Sequence, residues 1–237
     1  MIQFLKNNLP NFLTCCNLVC GITGIILISL DGIKAIDTVE WLIVLAGIAD
    51  FFDGFVARLL KSASPIGKDL DSLADGITFG VLPCLVSFHY LYFLETQGHS
   101  WQPYIAICIG VFSIIRLAIF NNDTRQTESF IGVPTPANAY FIIFLIGGMY
   151  HSALPFSISS NAFITIVLVC SFLLVTPLEL LALKFKNFSW NYNKSRFVLI
   201  FLSVVTLAFF GKIAVPIIFI YYVGLSVILK LIPKNAV

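Results

Sequence analysis

Four aspartates carry the chemistry open to this sequence. Asp50 and Asp53 stand three apart in the run Asp50-Phe51-Phe52-Asp53-Gly54-Phe55-Val56-Ala57-Arg58, and after eight further residues Gly67, Asp71 and Asp75 follow at four-residue steps. At helical spacing the first pair continues into Gly54 and Ala57 on one face, and Gly67, Asp71 and Asp75 line one face of a following helix. Pro65 and the polar stretch 61–64 break the chain between them. The two helices can therefore return antiparallel and present four carboxylates to each other.

Such a cluster is costly in an apolar setting. Each carboxylate at the centre of a membrane helix costs roughly 2.5–3.5 kcal/mol, so four would cost roughly 10–14 kcal/mol before their mutual repulsion. A position near the interface lowers this cost and repulsion raises it. Hard divalent cations would neutralise the group. Oxygen ligands without His or Cys suit Mg²⁺, Mn²⁺ or Ca²⁺ rather than Zn²⁺. The neighbours suit a phosphate: Gly54 and Ala57 are small where a ligand would approach backbone, and Arg58 offers a planar, permanently charged fork. A solvated carboxylate face at a helix end would account for two aspartates, but not for four in register with two small residues and an arginine.

The rest of the chain must place this cluster in a membrane. Of 237 residues, 59% are hydrophobic and 11% charged, with a net charge of +2. Soluble domains carry about 25% charge, and the mean hydropathy of +0.96 again makes lipid the solvent. The charge is too small to suggest a nucleic-acid partner. No linker divides the chain, so residues 1–237 read as one domain. Apolar segments near 11–30, 38–60, 72–94, 101–120, 137–151, 162–183, 195–210 and 213–231 predict an all-α, polytopic transmembrane bundle of about eight helices. The runs are long and do not alternate, which excludes a closed barrel. The first run has no small-residue cleavage site after it and reads as a retained span.

Eight spans put both termini on one side. That side would hold Lys6, Arg58, Lys61, Lys68, Arg116, Arg125, Lys184, Lys186, Lys194, Arg196, Lys230 and Lys234, and the other only Lys34 and Lys212. The bias makes both termini and the carboxylate end cytoplasmic. The sequon Asn187-Phe188-Ser189 then falls on the cytoplasmic side, where it would not be glycosylated. His89, His99 and His151 fall on the far side from the aspartates. The six cysteines lie in apolar runs and read as small buried thiols.

The arrangement D-x2-D-G-x2-A-R-x8-G-x3-D-x3-D, filled at every position here, resembles the signature of the CDP-alcohol phosphatidyltransferase family. The resemblance implies a six-helix core with extra helices and CDP-diacylglycerol as donor. It implies two divalent ions, Mg²⁺ or Mn²⁺, held by Asp50, Asp53, Asp71 and Asp75, with Asp75 as general base. It places the CDP moiety against Gly54, Ala57, Arg58, Ser64 and Gly67, with Asn17 reaching the nucleotide. It also implies a homodimer in a bacterial or archaeal-type inner membrane.

Three further stretches resemble the phosphatidylserine synthase branch of that family: Asn17-Leu18-Val19-Cys20-Gly21, the extension from Leu70 to Pro83, and the segments Arg116–Asn121 and Phe130–Pro136. The branch often has a second arginine where Ile119 stands. L-serine is then the expected acceptor. A zwitterion needs a partner for each charge. Arg116 is a candidate for the carboxylate, or else a snorkelling interfacial arginine. Asn121 and Asn138 could hydrogen-bond serine or serve as cap or loop residues, and Glu179, near a cytoplasmic interface, could meet the ammonium. Glycerol phosphate or inositol phosphate are alternative acceptors. Outside this chemistry, the alternatives are an ion or proton transporter and a non-catalytic lipid-binding scaffold. Gly21-x2-Gly24 and Gly76-x3-Gly80 offer close helix packing, within the chain or between chains.

Overall fold

A computed structural model describes residues 2–62, 64–95, 101–122, 130–154, 158–181 and 189–231. Arg125, Lys184, Lys186, Lys234, His99 and the first two sequon residues lie outside them. Helices α1 (Ile2–Asp31) and α2 (Ile36–Leu60) are joined by a 3₁₀ turn, Gly32–Ala35. Helix α3 (Pro65–Asp75) runs through a π-helical turn, Gly76–Val81, into α4 (Leu82–Leu94). Helices α5 (Ile107–Asn122), α6 (Thr135–Tyr150), α7 (Ser160–Val175), α8 (Trp190–Phe210) and α9 (Ala214–Leu231) follow. Four helical stretches are long and apolar enough to cross a membrane: Asn8–Leu60, Pro65–Leu94, Gln102–Asn122 and Asn193–Lys230. The first and last of these are each broken by a 3₁₀ turn. Thr135–Tyr150 and Ser160–Val175 are shorter apolar helices. The protein is thus an all-α membrane protein.

Its outer faces are apolar, with Phe12, Trp41, Phe52 and Phe209 exposed, as a lipid solvent requires. The core is centred on α6, where Ile142, Ile143 and Ile146 are fully buried. Close approaches are made at small residues. A Cβ on Gly21 would strike Thr78 in the π-helical turn, and one on Gly80 would lie 3.2 Å from the Ser113 Cβ on α5. Both glycine pairs are therefore used within the chain. Tyr140 of α6 crosses Gly47 of α2 and donates to the Ile43 carbonyl at 3.0 Å.

Ion pairs gather at the end of α2 remote from Asp50 and Asp53. Lys212, in the turn between α8 and α9, donates to Asp37 Oδ1 at 2.7 Å and Glu40 Oε2 at 2.8 Å, and His151 Nε2 meets Asp37 Oδ2 at 2.9 Å. Asp37 and Asp53 are separated by about 24 Å of helix at 1.5 Å per residue. Lys34, Lys212, His89 and His151 accordingly sit at the far end from the aspartates, as the charge pattern predicts.

Two sequence expectations need correction. The segment 162–183 does not remain helical. Helix α7 stops at Val175 because Pro177 excludes its predecessor from helical backbone, and Thr176 takes φ −65°, ψ 137°. Glu179 lies beyond the helix in a two-residue strand, β2 (Glu179–Leu180), antiparallel to β1 (Phe130–Ile131). The cysteines are all free, but only Cys170 is buried, and Cys15 is exposed on the outer face. A thiol is apolar enough to face lipid, so membership of an apolar run does not imply burial here.

Gly132 links the strand pair to α7. Its φ is +76°, and a Cβ there would strike the Leu174 carbonyl oxygen. Both the left-handed conformation and the contact exclude a side chain. Gly132→Ala is expected to lower the thermal midpoint in detergent, with a loss of at least about 1–2 kcal/mol from the backbone conformation alone.

Candidate active site

The break between α2 and α3 is built as the sequence suggests. Lys61 ends α2 in left-handed backbone, φ 51°. Ser64 then caps α3, its Oγ accepting from the Gly67 backbone N–H at 3.0 Å, and Pro65 opens the helix without needing a donor. The two helices return past each other and bring Asp50, Asp53 and Asp71 together, with one oxygen from each lying within 4.8 Å of the other two. Asp53 is buried, 5% exposed. Asp71 Oδ1 is buried without a hydrogen-bond partner. Three hard oxygen donors at this separation, one of them unsatisfied, fit a divalent cation.

Asp75 follows one helical turn after Asp71, within hydrogen-bonding reach of Asp50. Asn17, which the resemblance brings to the nucleotide, is fully buried, and its Nδ2 donates to Asp75 Oδ1 at 3.2 Å. Its backbone carbonyl accepts from the Thr78 hydroxyl at 3.2 Å, and its Oδ1 is buried without a partner. Asn17 thus fixes the carboxylate of Asp75 against the π-helical turn and does not line the open cleft.

That cleft, about 200 Å³, is lined by Pro10, Asn11, Thr14, Asp53, Gly54, Ala57, Ser62, Ser64, Gly67, Lys68 and Asp71. Enclosed small-molecule sites usually span about 300–1,000 Å³, so this one has room for only part of such a molecule. Gly54, Ala57, Ser64 and Gly67, the positions at which the resemblance places the CDP moiety, all line it. A Cβ on Gly67 would sit 2.9 Å from Asn11 Oδ1 and 3.0 Å from Ser64 Oγ, so a side chain there would displace both. Arg58 is exposed at the mouth, its Nη1 3.9 Å from where a Gly54 Cβ would be.

Sequence reasoning missed Asn11 and Thr14. Thr14 donates to Asp53 Oδ2 at 2.6 Å and is also 3.1 Å from the Pro10 carbonyl. The signal was present, because Thr14 and Asn17 are polar residues three apart in an apolar helix and so share a face.

Arg116 and Asn121 lie on α5 at this same end. Arg116 is 6% exposed, its Nη1 is 3.3 Å from Thr135 Oγ1, and its Nε has no partner. Arg116 and Asp75 are within electrostatic reach of one another. Such burial rules out a snorkelling arginine. Asn121 is used structurally: its Nδ2 donates to Ser72 Oγ at 2.7 Å, and its carbonyl accepts from Lys68 at 3.2 Å. These bonds tie α5 to α3.

Residues 7–175 match the model of the CDP-alcohol phosphatidyltransferase family. The chain belongs to this family. The match takes in all but the first turns of α1, then α2 through α7 and every residue of the cleft, and leaves α8 and α9 outside. Among curated proteins the chain is 36% identical over 169 residues to a CDP-diacylglycerol–serine O-phosphatidyltransferase of Helicobacter pylori, covering 70% of this chain and 68% of that protein. It is 33% identical over 141 residues to one from Bacillus subtilis, covering 59% and 75%. It is also 33% identical over 180 residues to an archaetidylserine synthase of Methanothermobacter thermautotrophicus, covering 72% and 68%.

Proposed function

We propose that this phosphatidyltransferase moves the phosphatidyl group of CDP-diacylglycerol to the hydroxyl of L-serine, giving phosphatidylserine and CMP. The observation that carries the chemistry is the meeting of Asp50, Asp53 and Asp71 beside a cleft floored by Gly54, Ala57 and Gly67. The names of its relatives and the buried, incompletely partnered Arg116 support serine over an anionic acceptor, which would call for additional basic residues around the pocket.

Asp50, Asp53, Asp71 and Asp75 would hold the divalent cations, Mg²⁺ or Mn²⁺. Bound there, these ions supply positive charge against the pyrophosphate and the departing CMP. The small residues of the cleft let the pyrophosphate approach the helix backbones, and Arg58 at the mouth faces its oxygens. The Ser64 oxygen is occupied as a cap acceptor, which leaves its O–H to donate into the cleft. Asp75, oriented by Asn17, accepts the proton of the serine hydroxyl. The serine oxygen forms a bond to the β-phosphorus as the bond from that phosphorus to CMP breaks. Arg116 takes the serine carboxylate, and Asn121 acts by holding α3 in place.

The spans would number eight, with both termini and the active site cytoplasmic in an inner membrane, and two copies would form the homodimer implied by the family. A transporter would distribute its carboxylates through the membrane depth, whereas these gather at one end of the bundle.

Purified protein given CDP-diacylglycerol and a panel of serine, glycerol phosphate and inositol phosphate is expected to release CMP with serine. Release with another member of the panel and none with serine would reject the acceptor. No release with any would reject the reaction.

A further inference from the structure

Helix α9 lies outside the family match, and its sequence is apolar without a motif. Its position gives it a role. Phe219 of α9 stacks on Phe141 of α6 with ring centroids 4.4 Å apart. The two helices are antiparallel, since both Lys212, before α9, and His151, after α6, reach Asp37. One turn from this aromatic pair toward the aspartates therefore brings Asn138 on α6 level with Tyr222 on α9. Asn138 is fully buried, and both Oδ1 and Nδ2 lack partners. Thr135, on the same side of α6, is the residue that Arg116 contacts. Tyr222 is half-buried and within electrostatic reach of Arg116. Ser226, one turn further along, accepts from the Leu181 backbone N–H at 3.1 Å, which holds α9 beside the strand pair.

Three features in this space call for a ligand. Arg116 is a buried cation that forms no ion pair with a carboxylate among the described residues. Its Nε–H points to no acceptor, and an amide with both ends unsatisfied lies nearby. Buried polar groups are ordinarily partnered, and together these offer donors for an anion and an acceptor for a cation, with Asp75 within electrostatic reach of Arg116.

We infer that α9 completes the acceptor pocket: the Tyr222 hydroxyl and the Arg116 Nε–H donate to the carboxylate of an amino-acid zwitterion, and Asn138 Oδ1 accepts from its ammonium. The assignment rests on serine being the acceptor. It makes Tyr222 and Asn138 specificity determinants, since an anionic acceptor without an ammonium would leave Asn138 unsatisfied.

The test compares wild type, Tyr222→Phe and Asn138→Leu as full chains in detergent, by CMP release against serine and against CDP-diacylglycerol, with thermal midpoints. Tyr222→Phe is expected to raise the KM for serine roughly tenfold, the effect of one lost hydrogen bond to a charged group. The KM for CDP-diacylglycerol and the thermal midpoint should stay near wild type. Asn138→Leu, which removes two unsatisfied groups, is expected to raise the serine KM without lowering the midpoint. An unchanged serine KM in Tyr222→Phe overturns the inference while leaving the serine reaction standing. Wild-type enzyme that releases CMP only with another acceptor overturns the serine reading itself and the assignment with it. If Asn138→Leu fails to fold, Tyr222→Phe still decides.

Discussion

Replacing Asp75 with Asn is expected to lower turnover by at least roughly 10²–10⁴-fold, the usual effect of removing a general base. The substitution preserves shape and removes the proton acceptor. The amide can still meet Asn17, which donates 3.2 Å to Asp75 Oδ1, so local packing survives. CDP-diacylglycerol affinity should fall less than on loss of a cleft-lining aspartate: the variant gives up one cation ligand, but Asp75 does not line the cleft and the residues that do are untouched. Asp53→Asn should behave differently. Asp53 lines the cleft, belongs to the close carboxylate trio and accepts from Thr14 at 2.6 Å. Its loss is expected to weaken donor binding and turnover together. Titrations of donor affinity and single-turnover rates separate the two variants. Equal loss of donor affinity in both would remove the case for Asp75 as base, and near-normal turnover in Asp75→Asn would refute the mechanism at its central step.

The carboxylate cluster was legible because its information is local. Helical spacing fixes which side chains share a face, and Ser64 and Pro65 fix where α3 begins, so the α2–α3 return follows from the sequence of that hairpin alone. The family resemblance added roles that spacing could not supply. What the sequence hid depended on contacts between distant segments. Asn17 lies 58 residues before Asp75, and nothing in its own neighbourhood reveals that its Nδ2 meets that carboxylate. Asn121 is similarly taken up by Ser72, 49 residues earlier. The early end of α7 was legible in principle, since Pro177 disfavours helix at Thr176, but an apolar run of adequate length masked it. Helix α9 was the least legible. Tyr222 reads as one aromatic residue in an apolar helix until α9 is seen docked on α6 with Phe219 against Phe141.

The carboxylate cluster should also trade stability against activity. Two unit charges about 4.8 Å apart repel by roughly 3–4 kcal/mol at an effective dielectric constant near 20, and Asp50, Asp53 and Asp71 hold three carboxylates within that distance of each other. In chelator, Asp71→Asn removes one charge and is expected to raise the thermal midpoint above wild type. A saturating divalent cation binds the folded site and not the unfolded chain, so it should stabilise wild type by about 2.7 kcal/mol at a hundred times the dissociation constant. The variant, one ligand short, should gain far less, and the order of the two midpoints should reverse as Mg²⁺ or Mn²⁺ is added. Turnover should follow the metal: absent in chelator, restored in wild type by Mg²⁺ or Mn²⁺, and low in Asp71→Asn at any concentration. Thermal unfolding across a metal titration, run alongside CMP release, reads both quantities in the same samples. A wild-type midpoint that does not move with either metal, or full turnover in metal-stripped enzyme, would mean that these aspartates meet for some purpose other than holding cations.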